Sequence, residues 1–138
     1  MHALAHTLGA LYDAHHGLLN AILMPYVLTA NRPAISQRIE RLARYLDLAT
    51  PDFDGFLAWV LELRASLGIP HALNALNIDQ QQASRVGQMS MNDPAAGGNP
   101  IVETYDTTTG IGRGVTYDVL HDRLFFLTNS AVIILQPS

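Results

Sequence analysis

The chain contains no cysteine. Disulfides, thiolate metal sites and a cysteine nucleophile are thereby excluded, and histidine and carboxylates remain as the strong metal ligands. A cysteine-free chain also fits a cytoplasmic setting. Charge is scarce as well: 14% of the 138 residues are Asp, Glu, Lys or Arg, against roughly 25% in soluble domains. So low a share leaves surface suited to lie against other protein, as in a homo-oligomer or a chain paired with a missing N-terminal part. Lysine is absent, all eight cationic residues are Arg, and the net charge is -4 without a basic cluster, so no nucleic acid partner is expected. The apolar run Leu18 to Leu28 is interrupted by Asn20 and Pro25 and is too short to span a bilayer, so no membrane is expected either. The opening MHALAHTLGAL lacks a charged n-region and is read as neither signal peptide nor anchor.

What is present is enough for one core. Hydrophobic residues make up 49% of the chain, but its length falls short of most chains that hold a cofactor-binding domain beside a catalytic one. The patterning predicts an all-α bundle of about five helices followed by an atypical β-prone tail. Residues 2 to 11 read as a first helix that begins without a capping residue, with His2 and His6 one turn apart. After a loop at Tyr12 to Gly17, a second helix is expected over Leu18 to Ala30, bent at Pro25 and ended by Asn31-Arg32-Pro33. A third spans Ala34 to Leu48, with Ile35, Ile39, Leu42 and Leu46 on its apolar face. Thr50 is the expected N-cap of a fourth, whose buried side is Phe53, Phe56, Leu57, Val60, Leu61, Leu63 and Leu67, and Gly68-Ile69-Pro70 stops it. The fifth runs from about Asp79 to Met91 with Val86, Met89 and Ala83 inward, before a loop over Asn92 to Pro100. Beyond it, Val115 to Leu120, Leu124 to Leu127 and Ala131 to Leu135 are strand-like.

The chemistry lies in the histidines. His2, His6 and His16, with His15 beside them, crowd the first sixteen residues on an apolar background. If the first segment is helical, His2 and His6 share a face, and a turn at Gly17 returns His16 toward it, so that two imidazoles from separate helices are available to one divalent ion. By itself an H-x-x-x-H pair is weak, since such pairs also arise as hydrogen-bonded core residues. His71 and His121 read as surface or hydrogen-bonded imidazoles. Gly97-Gly98-Asn99 reads as a structural turn, because no strand precedes it and no lysine follows. Phe53, Phe56 and Trp59 read as core.

A longer feature decides between these readings. His2-Ala3-Leu4-Ala5-His6-Thr7-Leu8-Gly9-Ala10 and His16-Gly17-Leu18-Leu19-Asn20-Ala21-Ile22-Leu23-Met24-Pro25 resemble the H-x-x-A-H-x-x-G-A and H-G-x-x-N-A-x-x-x-P signature of iron-containing alcohol dehydrogenases. The resemblance continues through Asn31-Arg32-Pro33, Leu67-Gly68-Ile69-Pro70 and the Asp93-Pro94 to Gly97-Gly98-Asn99-Pro100 loop, over most of residues 2 to 100.

That resemblance implies the C-terminal helical part of a dehydroquinate synthase-like fold, and the following roles. His2 and His16 correspond to two of four metal ligands, the others being an Asp and a His from an earlier helix. His6 corresponds to the histidine beside nicotinamide and substrate, a catalytic and cofactor-binding position. His15 stands where the family commonly has Pro and receives no ligand role. The implied activity is hydride transfer between an alcohol or aldehyde and NAD(P), with Fe2+ or Zn2+ as Lewis acid. Nothing here matches the family's Asp and His pair or its G-G-G-S cofactor loop, so the isolated chain is expected to be inactive. The expected organisation is a partial helical metal-binding domain over 1–100 and a divergent tail over 101–138, non-native or disordered. Both irregular ends suggest a start taken at an internal methionine and a frame shifted near residue 100. Two other readings stay open: a non-enzymatic helical partner module, and a fragment of a maleylacetate reductase or glycerol dehydrogenase relative.

Overall fold

The computed structural model describes residues 1–79 and 81–99 in full and, as backbone only, three short segments at 114–118, 123–127 and 132–135. Among the described residues there are four α-helices: α1 His2–Tyr12, α2 His16–Tyr45, α3 Phe53–Ser66 and α4 Ala83–Asn92. Short 3-10 turns lie at Leu73–Leu76 and Pro94–Gly98. The helical bundle agrees with the class expected from the patterning, but with four helices in place of about five.

The missing boundary is the one expected at Asn31-Arg32-Pro33. There α2 runs on without interruption for 30 residues, with both Pro25 and Pro33 inside it. Each proline removes one backbone donor and crowds the preceding turn, a local cost of about 3 kcal/mol. Tertiary anchors at the second site offset it. The Arg32 guanidinium makes a two-pronged bond to Asp54, Nη1 to Oδ1 at 2.7 Å and Nη2 to Oδ2 at 2.8 Å, and lies 4.7 Å over the Phe53 ring. Asn31, buried, exchanges two amide bonds with Asn99. At both prolines a hydroxyl also takes up a carbonyl of the helix: Thr29 donates to Pro25 O at 2.9 Å and Ser36 to Arg32 O at 2.7 Å.

The long helix is the spine of two cores. Its first half packs Leu19, Ile22, Leu23 and Tyr26 against Ala5 and Leu8 of α1, Leu73 and Ile78 of the connecting turn, and Val86 of α4. Its second half sets Ala43 against Phe56 and Val60 of α3. The small side chains of α1, Ala3, Ala5 and Thr7, are all buried, so this helix lies close on its neighbours, and Ser90 of α4 donates to Thr7 Oγ1 at 3.1 Å.

Helix α3 departs from expectation at both its cap and its face. Asp52, not Thr50, is the N-cap: its carboxylate accepts from Gly55 N at 2.8 Å, and the helix begins at Phe53, two residues after Pro51. The buried stripe is Phe53, Phe56, Val60 and Arg64, at spacings of three and four, while Leu61, Leu63 and Leu67 are exposed. Gly68, at φ 66, ends the helix in the left-handed conformation that glycine adopts without strain, with Ile69 N bonded to Arg64 O. In α4 the buried residues are Val86, Gly87 and Ser90.

The three described segments of the tail are antiparallel strands in the order β1 Gly114–Asp118, β2 Arg123–Leu127 and β3 Val132–Leu135. Thr116 stands opposite Phe125, and Phe125 opposite Ile134. The expectation of a divergent, non-native or disordered tail over 101–138, and His121 with it, otherwise lies outside the described residues. No described helix is long and apolar enough to cross a membrane.

Candidate metal centre

The histidines meet at the open edge between α1 and α2. Helix α1 buries Ala5 and Leu8, and the same periodicity turns His2 and His6 outward together. Asp13, in the left-handed conformation at φ 52, closes α1, and the chain reverses within three residues. His15 then caps α2, its Nδ1 accepting from Leu18 N at 3.3 Å. That cap starts the helix at His16, two residues before the expected start, and so projects the His16 ring toward α1. His15 therefore has a structural task and points to α2's own backbone.

The three remaining imidazoles form a triangle, with ring centroids 6.1 Å apart for His2 and His6, 5.4 Å for His2 and His16, and 5.0 Å for His6 and His16. His2 and His6 are inclined at 76° but are the farthest apart of the three pairs. His2 and His16 are inclined at 57°, so one point can lie in both ring planes. His6 and His16 are stacked at 19°, and near-parallel stacked rings cannot both aim a nitrogen at one ion. Two imidazoles on a tetrahedral ion, with metal to nitrogen bonds of about 2.0–2.1 Å, hold their ring centres about 5 Å apart. The separation of His2 and His16 fits that requirement. No group of three or more His, Cys, Asp or Glu among the described residues is arranged to hold a metal ion.

His16 and His6 each have a polar side-chain neighbour. Asn20, one turn after His16, sets its Nδ2 2.8 Å from His16 Nε2 and donates to His16 O at 3.1 Å, leaving its own Oδ1 buried without a partner. A metal ligand role for His16 through Nε2 would require giving up the first of these bonds, a cost of about 1 kcal/mol, while the second could remain. Asp93 Oδ2 lies 3.0 Å from His6 Nδ1, across a sequence gap of 87 residues. Its other oxygen accepts from Ala95 N at 2.8 Å and so caps the 3-10 turn Pro94–Gly98. The Ala95 bond, followed by the His6 contact, holds the Asp93 carboxyl below the usual carboxylate range, against the opposing effect of burial. An Asp-Pro step after a helix signalled a turn, but nothing local to it signalled a histidine partner.

His71, read as a surface or hydrogen-bonded imidazole, is remote from this edge. Its ring is bonded to the Arg64 guanidinium and stands 3.3 Å from the Tyr26 hydroxyl, which donates to His71 O at 3.0 Å. Arg64 is buried with carbonyl oxygens of Ile22 and His71 at 3.4 Å, which satisfies a cation on an otherwise apolar stripe. Gly97 and Gly98 form part of the capped turn, in keeping with a structural reading of that loop.

Comparison with known proteins locates this arrangement. Residues 1–113 match the sequence model of the Fe-containing alcohol dehydrogenase family, C-terminal. The chain is 29% identical over 120 residues to lactaldehyde reductase of Escherichia coli (strain K12), a match covering 78% of this chain and 31% of that protein. It is 32% identical over 106 residues to 1,3-propanediol dehydrogenase of Citrobacter freundii, covering 72% and 27% of the two chains. A crystal structure of a 1,3-propanediol oxidoreductase superposes with a TM-score of 0.68 at 29% identity, covering 72% of this chain and 28% of that one. The chain thus spans about a third of the length of such relatives. With the histidine edge, the four-helix arrangement and a match over residues 1–113, the chain belongs to the Fe-containing alcohol dehydrogenase family, in its C-terminal region.

Proposed function

We propose that this chain is the metal-facing helical part of an NAD(P)-linked alcohol dehydrogenase, with His2 and His16 as two ligands of one divalent ion and His6 beside cofactor and substrate. The observation that carries the reading is the pair His2 and His16, on separate helices, with ring centres 5.4 Å apart and planes inclined at 57°. A bound Fe2+ or Zn2+ supplies Lewis acidity toward the oxygen of an alcohol or aldehyde. A nicotinamide cofactor supplies the hydride acceptor or donor.

What this chain's own residues do is narrower. The His15 cap and the Asp13 turn set the start of α2 against α1, which supports reading His2 and His16 as a pair drawn from two helices. The stacking of His6 on His16 at 19° disfavours those two rings as a pair on one ion, which supports reading His6 as the neighbour of the site and not as a ligand. Two imidazoles are half of a four-ligand site, so the reading expects weak metal binding and no alcohol oxidation from the chain alone.

The test is a chimera in which residues 1–99 replace the matching region of the Citrobacter freundii 1,3-propanediol dehydrogenase. The reading expects metal-dependent, NAD(P)-linked turnover of a simple alcohol that His2→Ala and His16→Ala each abolish. Turnover that survives both substitutions in a folded chimera contradicts it.

A further inference from the structure

We infer that Asp93 is a positioning residue for His6: its carboxylate fixes the imidazole in the tautomer that carries its proton on Nδ1 and leaves Nε2 bare. The chemistry follows from donor and acceptor counting. An ionised carboxylate only accepts, so the ring nitrogen 3.0 Å from Asp93 Oδ2 is the one that bears hydrogen. A neutral imidazole has a single N–H, and its other nitrogen is then an open lone pair.

The carboxylate is itself held from several directions. Oδ1 is tied to Ala95 N at 2.8 Å. The α4 helix that delivers Asp93 is joined to α1 by the Ser90 to Thr7 bond at 3.1 Å. The far end of the turn is joined to α2 through Asn99 and Asn31, at 2.8 and 3.1 Å. The Asp93 side chain is 16% exposed and that of His6 is 47% exposed, so the buffered end of the pair is the acid and the open end is the ring. Nε2 is thus the nitrogen left to meet a cofactor or substrate. This use of Nε2 rests on the dehydrogenase reading, whereas the tautomer does not.

The test is side-chain nitrogen NMR on the full 138-residue chain without metal, at a pH well above the ordinary histidine value of about 6.5. The wild type is expected to carry the His6 proton on Nδ1. In Asp93→Asn the side-chain oxygen can still cap Ala95, while the amide N–H now faces His6 Nδ1. The proton is then expected to move to Nε2, a change in tautomer ratio of about tenfold or more, as loss of one charge-assisted bond implies. The Ala95 backbone amide signal is expected to stay in place, which a merely structural role for Asp93 does not combine with a tautomer shift. A wild-type His6 protonated mainly on Nε2 overturns the inference even if the variant fails to fold. An unchanged ratio in folded Asp93→Asn does so as well. Failure of the chimera with an Nδ1–H tautomer intact would count against the dehydrogenase reading alone, so the two failures are distinguishable.

Discussion

The Asn31 and Asn99 amides offer a sharp test of how two distant stretches of the sequence hold the histidine edge together. Asn31 Nδ2 donates to Asn99 Oδ1 at 2.8 Å and Asn99 Nδ2 returns a bond to Asn31 Oδ1 at 3.1 Å, with Asn31 buried. Each bond contributes about 0.5–1.5 kcal/mol net, so the pair is worth roughly 1–3 kcal/mol. A double-mutant cycle of Asn31→Ala, Asn99→Ala and the double variant, read by urea unfolding, isolates that coupling. A loss near 2 kcal/mol in either single variant corresponds to a fall in Tm of roughly 8–16 °C for a helical domain of this size. The second removal then costs much less than the first. Fully additive single effects, with coupling below about 0.5 kcal/mol, refute the clamp. Because the turn beside Asn99 carries Asp93, loss of the clamp is also expected to broaden the His6 ring signals.

Two further outcomes follow from local geometry. In an open helix Gly→Ala stabilises by about 1 kcal/mol, yet a Cβ on Gly55 would stand 2.0 Å from Thr50 O and 2.7 Å from Thr50 Cβ, against backbone that cannot swing aside. Gly55→Ala is therefore expected to open the turn, break the Asp52 cap and destabilise by about 2 kcal/mol in thermal melts, while Gly97→Ala, with nothing within 4 Å, is near neutral. Asp93 is held below the unfolded carboxylate value of about 3.9, so its contribution is present above that pH and is lost as pH falls through the lower folded value. The stability advantage of wild type over Asp93→Asn is then expected to shrink from about pH 5 downward in urea titrations, and an advantage that grows with acid contradicts the assignment.

The histidine edge was legible because its determinants are local. An i, i+4 pair on one helix and a short reversal before the next are enough to bring His2, His6 and His16 to one place, although the reversal lies at Asp13 to His15 and the expected turn residue Gly17 is already helical. What was not legible depends on contacts remote in sequence. Nothing near Asp93 announces His6, and nothing near Asn31 announces Asn99. The same remoteness explains the helix count: Asn31-Arg32-Pro33 carries every local mark of a helix end, and the bonds of Arg32 to Asp54 and Asn31 to Asn99 hold it helical. On α3 the apolar residues mark three sides of the helix, so composition could not say that the buried stripe would close on Arg64 and leave Leu61, Leu63 and Leu67 outside.

If His2 and His16, and not their neighbours, form this chain's share of a divalent metal site, metal binding must depend on those two side chains. A Co2+ titration of the chain, followed by the visible absorption of the bound ion, tests it most directly. Weak binding of one ion is expected that His2→Gln and His16→Gln each remove, with His6→Gln and His15→Gln retaining it. Binding that depends equally on His6, or that persists in the His2→Gln, His16→Gln double variant, would contradict it.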